Sequence, residues 1–119
     1  MSLAIAHFAV GYAGGVLLMA LFWGRVSYFG AVVSSIWGVF PDLHHLMPEG
    51  SWYQVYWYYG FHETRWADFC WFHYTMDQLD PNDTIEVALG AVVMAVAVTL
   101  IVEVWLARQT EKSLTSSPP

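Results

Sequence analysis

Asp42, His44 and His45 place one carboxylate and two imidazoles within four residues, directly after Pro41. Oxygen and nitrogen donors of this kind suit zinc, manganese or iron. A second group follows at His62, Asp68, His73, Asp77 and Asp80. On a helix, His73, Asp77 and Asp80 would share one face at spacings of four and three. His73 and Asp77 could ligate one ion together, or Asp77 could orient His73 from behind. The plainer readings are a turn in which Asp42 caps the next segment, and a solvated acidic stripe. His7 stands about one turn inside an apolar run. It reads either as an interfacial imidazole near the headgroups or as a ligand or acid/base group.

These residues need elements to position them, and the sequence supplies apolar helices. Leu3 to Trp23 carries no charge apart from His7 and is long enough to cross a hydrocarbon core about 30 Å thick. Gly24 and Arg25 interrupt it. Val26 to Phe40 is a second uncharged run, shorter than a usual span, and Pro41 ends it. Pro48 to Gly60 reads as a loop rich in Trp and Tyr. The segment 61–80 reads as one interfacial helix, too polar to span and aromatic enough to lie at the boundary. After Pro81-Asn82-Asp83, with Asp83 as a plausible cap and Glu86 in the first turn, Thr84 to Ala107 forms a third span. Residues 113–119 read as a disordered tail. The expected fold is all-α: one membrane domain over 1–112 with about three transmembrane helices and one interfacial helix.

If the first two runs form a hairpin centred between Gly24 and Arg25, residues at equal depth have numbers that sum to 49. Gly15 then meets Ser34, Gly11 meets Gly38, and His7 meets Asp42. Small residues four apart make flat ridges that let membrane helices approach closely. Both polar residues would arrive at the outer end of that seam.

Composition supports a membrane setting. Of 119 residues, 57% are hydrophobic and only 12% charged, which is too apolar for a small soluble domain. Aromatic residues reach 18%, as expected where apolar core meets water. Four basic residues against ten acidic ones exclude a basic patch, so nucleic acid is not an expected partner; the lipid bilayer is. The single cysteine, Cys70, excludes an internal disulfide and a Cys-based zinc cluster. The start lacks the basic residues of a cleavable leader, and its apolar run is long enough to stay as a span. Arg25, Arg108 and Lys112 fall on one side of a three-span topology, which should be the cytoplasm of a multi-pass cell-membrane protein. The N-terminus and residues 41–83 then lie outside, with all five His residues. Glu103 lies toward the opposite face, as a topological or packing residue.

His7 followed by Gly11, then Gly38-Val39-Phe40-Pro41-Asp42-Leu43-His44-His45, resembles a family of small membrane proteins classed as metal-dependent hydrolases, which includes a LexA-regulated bacterial inner-membrane protein. Their pattern is an early His with a following Gly, then Pro-Asp-x-Asp-His, then a later His-Arg-Gly-x-Thr-His-Ser. The resemblance covers roughly the first 45 residues. It implies a polytopic membrane fold with a metal site near one face, to which His7, Asp42 and His45 carry over. His44 stands where the family has its second Asp, and the later motif is absent, with Phe72-His73-Tyr74-Thr75 as its remnant.

Two functions are expected on these grounds. One is a metal-dependent hydrolase with a zinc, manganese or iron ion on His7, Asp42, His45 and His73. Asp77 or Asp80 would act as base or supporting carboxylate, and the substrate would be a lipid or other interfacial phosphoester. The other is a non-catalytic scaffold, accessory subunit or envelope protein. A transporter is disfavoured, because the polar residues do not continue through the bilayer.

Overall fold

A computed structural model of the protein describes residues 2–115, and every regular element among them is helical. Three helices run along the long axis: α1 (Ser2–Trp23), α2 (Tyr28–Val39) and α5 (Ile85–Thr115). Between α2 and α5 the chain builds a cap from short pieces. These are a 3-10 segment Phe40–Leu46, α3 (Trp52–Trp57), a π turn Tyr58–His62, a 3-10 segment Arg65–Phe69 and α4 (His73–Leu79).

The turn between α1 and α2 is set locally. Gly24 takes φ +63°, a left-handed conformation that costs glycine little, and its N–H donates to the Ala20 carbonyl at 3.1 Å. Ser27 then caps α2, its hydroxyl accepting from the Gly30 N–H at 3.2 Å. The antiparallel seam has the expected register. A Cβ on Gly15 would lie 2.6 Å from Ser34 Cβ, and one on Gly38 would lie 2.6 Å from the His7 carbonyl oxygen. Ser34 Oγ also donates across the seam to the Gly11 carbonyl at 2.8 Å. Only glycine permits this backbone approach, and it brings His7 level with Asp42.

α1 lies between α2 and α5. The core is made of small residues: Val16, Ala20 and Ala31 meet Val102, and Ala9 and Ala13 meet Ala95, with Tyr12 and Val98 filling both layers. Near the other end of the bundle, the Tyr28 hydroxyl donates to Glu103.

Among the described residues, two helices, Ala4–Trp23 and Ile85–Thr115, are long and apolar enough to cross a membrane. The most apolar stretch of α5 is only 22% buried, so most of its hydrocarbon surface faces outward. α2, expected as a third span over 26–40, has 12 helical residues, about 18 Å against a core of about 30 Å.

The cap departs from expectation. Residues 61–80 do not form one helix. Trp71 and Phe72 take φ of 58° and 61°, and these two left-handed residues break it. An extended Thr64 and the 3-10 segment after it interrupt the stretch first, and Trp71 makes the break before His73: its half-buried ring lies where a Cβ on Gly14 would be, 2.2 Å from Trp71 Cζ3. Seating the indole in that notch turns the backbone just before His73. Asp68 then caps α4 at a distance, accepting from the Thr75 N–H at 2.7 Å and the Thr75 hydroxyl at 2.9 Å. Within the stretch expected as a loop, Ser51 caps α3 by accepting from the Gln54 N–H at 3.2 Å. At the C-terminal end α5 runs to Thr115, past the start expected for the tail at 113; residues 116–119 lie outside the described ones.

Candidate metal centre

Four elements converge under the cap. α1 supplies His7, the 3-10 segment after Pro41 supplies Asp42 and His44, the π turn supplies His62, and α4 supplies His73 and Asp77. Pro41 has no N–H and a fixed φ, which suits it to open a tight segment at the end of α2. Its carbonyl is held from two sides, accepting from Trp57 Nε1 at 2.9 Å and facing His44 Nδ1 at 3.2 Å. Trp37 Nε1 donates to the Phe69 carbonyl at 3.1 Å and ties the cap to α2.

Two carboxylates gather three imidazoles. Asp42 Oδ2 lies 3.5 Å from His7 Nδ1, and Asp42 Oδ1 lies 3.2 Å from His62 Nε2 and 3.3 Å from His73 Nε2. Asp77 Oδ1 lies 3.2 Å from His7 Nε2, and Asp77 Oδ2 lies 3.5 Å from both His62 Nε2 and His73 Nε2. Donors about 2.0–2.2 Å from a shared ion sit about 3.0–3.5 Å from one another in octahedral to tetrahedral arrangements. The observed separations fall in that range.

The burial pattern points the same way. His7 is 1% exposed and His73 fully buried, yet both His7 nitrogens, His73 Nε2 and Asp42 Oδ2 have no partner of hydrogen-bond geometry. Buried polar atoms are nearly always paired, so a cluster of orphans aimed at one another calls for something between them. His73 Nδ1 donates to the Gly38 carbonyl at 3.0 Å, which turns the Nε2 lone pair toward the cluster. Glu63 Oε1 stands 3.4 Å behind His62 Nδ1, a carboxylate near the far side of that ring.

Charge is shared unevenly. Burial disfavours an ionised Asp42, but the His62 hydrogen bond and the His7 and His73 imidazoles beside it outweigh burial and hold the carboxyl well below the usual range. Burial also opposes a charged His62, and the Asp42 hydrogen bond and the Asp77 charge overcome it, so its pKa rises. His44 goes the other way: burial pushes its pKa down and keeps the ring neutral. Burial pushes the Cys70 thiol up to about 11, which leaves it protonated and unsuited to bind metal.

A pocket of about 540 Å³ opens onto the cluster. Asp42, His45, His62, Asp77 and Asp83 line it beside Ala4, Val39, Leu43 and Leu46, so ionisable groups and aliphatic side chains share its wall.

Of the residues singled out from sequence, His7, Asp42, His73 and Asp77 come together. His45 is exposed and lines the pocket, its ring tilted against His44 with centroids 3.9 Å apart. Asp80 is engaged elsewhere, just before α5, accepting from the Thr84 N–H at 2.8 Å and the Thr84 hydroxyl at 2.9 Å. His62 was not in the expected ligand set. No spacing links it to Asp42, 20 residues earlier, and only the cap's fold does so.

No family model, curated protein or solved structure matches the chain.

Proposed function

We propose that the protein is a multi-pass membrane protein in which His7, Asp42, His62, His73 and Asp77 hold a zinc, manganese or iron ion at the outer headgroup level, and that this centre hydrolyses a lipid or other interfacial phosphoester. The observation that carries the reading is the convergence of three imidazoles and two carboxylates in which both His7 nitrogens, His73 Nε2 and Asp42 Oδ2 are buried without a hydrogen-bond partner. A divalent cation there would supply Lewis acidity and lower the pKa of a water it holds. The chain's residues do the rest: His73 is oriented from behind by the Gly38 carbonyl, and Asp42, His62 and Asp77 reach the pocket wall. Ala4, Val39, Leu43 and Leu46 on that wall suit an acyl-bearing substrate.

In this reading α1, α2 and α5 all cross the bilayer. α2 is short, so the aromatic-rich cap shares the headgroup depth on its side and the bilayer thins to match. Exposed Trp52, Tyr53, Tyr56, Tyr59, Trp66 and Phe69 supply the amphipathic rings such a boundary favours.

The test is metal content by elemental mass spectrometry on detergent-purified wild type, His7→Ala and Asp42→Ala, each checked for helicity by circular dichroism. Near-stoichiometric metal in wild type, lost in both helical variants, is expected. Phosphoester hydrolysis that chelation abolishes and the ion restores is expected with it. Wild type without metal after loading with each ion would leave a packing or partner-binding membrane protein.

A further inference from the structure

The five-residue cluster leaves one buried imidazole beside it unused. His44 is 5% exposed and sits on the His62 side of Asp42. Donor atoms of Asp42, His44 and His62 all lie within 4.8 Å of one another, as do those of His7, His73 and Asp77. Each trio is two imidazoles and one carboxylate, a set that binds divalent transition metals and leaves positions open.

The trios touch through their carboxylates. Asp42 belongs to one trio and reaches His7 and His73 of the other at 3.5 and 3.3 Å. Asp77 belongs to the second and reaches His62 of the first at 3.5 Å. Carboxylates placed between two sets of nitrogen donors are what a bridged pair of ions requires. His44 Nδ1 faces the Pro41 carbonyl at 3.2 Å, which leaves its Nε2 as the lone-pair nitrogen. His44 and His62 meet edge to face, with centroids 4.6 Å apart. The number of donors matters as well. Four imidazoles and two carboxylates exceed the four ligands of a tetrahedral ion, and would fill an octahedral one with no position left for water.

We propose that the centre is dinuclear: one ion on His7, His73 and Asp77, a second on Asp42, His44 and His62, with Asp42 and Asp77 bridging. This rests on the metal-centre reading above and narrows its chemistry. Paired ions about 3.5–4 Å apart stabilise both the attacking and the leaving oxygen of an in-line phosphoryl displacement. The substrate class is then a phosphate ester. Water's oxygen forms the new P–O bond, the P–O bond to the alcohol breaks, and the proton that water loses ends on the departing alcohol.

The experiment uses the full chain in detergent, stripped by chelation and reloaded with Mn²⁺ or, in parallel, Zn²⁺. Bound metal per chain is counted by elemental mass spectrometry, and the Mn²⁺ form is read by electron paramagnetic resonance. Wild type is expected to bind two ions per chain and give the spectrum of an exchange-coupled pair. His44→Ala is expected to bind one and give the six-line spectrum of an isolated ion. His45→Ala, altered on the pocket rim, is expected to keep two. One ion per chain in wild type at saturation, or two in His44→Ala, overturns the dinuclear assignment and leaves a single-ion centre standing. No ion of either metal overturns both readings. The wild-type count and spectrum decide the matter even where a variant fails to fold.

Discussion

Asp42 and His62 respond to pH in opposite directions, and together they define where the metal-free protein is most stable. Asp42 is depressed from its ordinary 3.8, so its contribution is complete above that value and is lost as pH falls further. His62 is raised from 6.5, so its contribution is complete below 6.5 and is lost as pH climbs through the elevated value. Thermal melting of chelated protein is expected to show maximal stability between these two pH values and a decline on both sides. A Tm that rises steadily from pH 5 to 9 would contradict that balance. Asp80 is buried and accepts two hydrogen bonds from Thr84, one residue before α5. Losing them in Asp80→Ala should cost about 1–3 kcal/mol and lower the Tm. Metal stoichiometry should stay unchanged; loss of metal in a well-folded Asp80→Ala would place Asp80 in the centre instead.

At the scale of elements, the centre depends on two close approaches. The first is the glycine seam of α1 and α2, which sets His7 against Asp42. The second is Trp71, seated at Gly14, which turns the chain so that His73 enters the cluster. A methyl at Gly14 meets the indole at 2.2 Å, so Gly14→Ala must displace Trp71. The overpacking should cost about 1–3 kcal/mol. Because Trp71 stands two residues before His73, the same substitution should also weaken metal binding, read by competition with a chromogenic chelator. Unchanged affinity in Gly14→Ala would mean that His73 is held by its Gly38 hydrogen bond alone.

At the scale of the whole molecule, α1 is the shared partner of α2 and α5, and the cap closes over one end of the bundle. The proposed topology puts that cap outside the cell and the end of α5 inside. Glu49 lies in the cap and Glu111 near the end of α5, both exposed. A membrane-impermeant maleimide is expected to label Glu49→Cys in intact cells and Glu111→Cys only after lysis. Cys70 should give little background, because it is 1% exposed with a pKa pushed up to about 11. The reverse pattern would invert the orientation without touching the metal centre.

The sequence by itself determined the helical class, the two long apolar helices and the register of the first hairpin. Apolar runs of spanning length have few alternatives, and glycines four apart allow one close seam, so numbers summing to 49 brought Gly15 to Ser34 and His7 to Asp42. The His73 and Asp77 pair was legible too, because a spacing of four shares a helix face. The cap was decided by tertiary structure. Its stretch 61–80 has only weak periodicity, and insertion of Trp71 against α1 outweighs local helix preference there. That long-range contact leaves no trace in spacing, and neither does the meeting of His62 with Asp42. The placement of His45 and Asp80 came from the same folding. The 3-10 path after Pro41 leaves His45 at the rim while His44 turns inward, and the end of α4 leaves Asp80 beside Thr84. Local pattern fixes which elements form; which side chains meet across them depends on packing between distant segments.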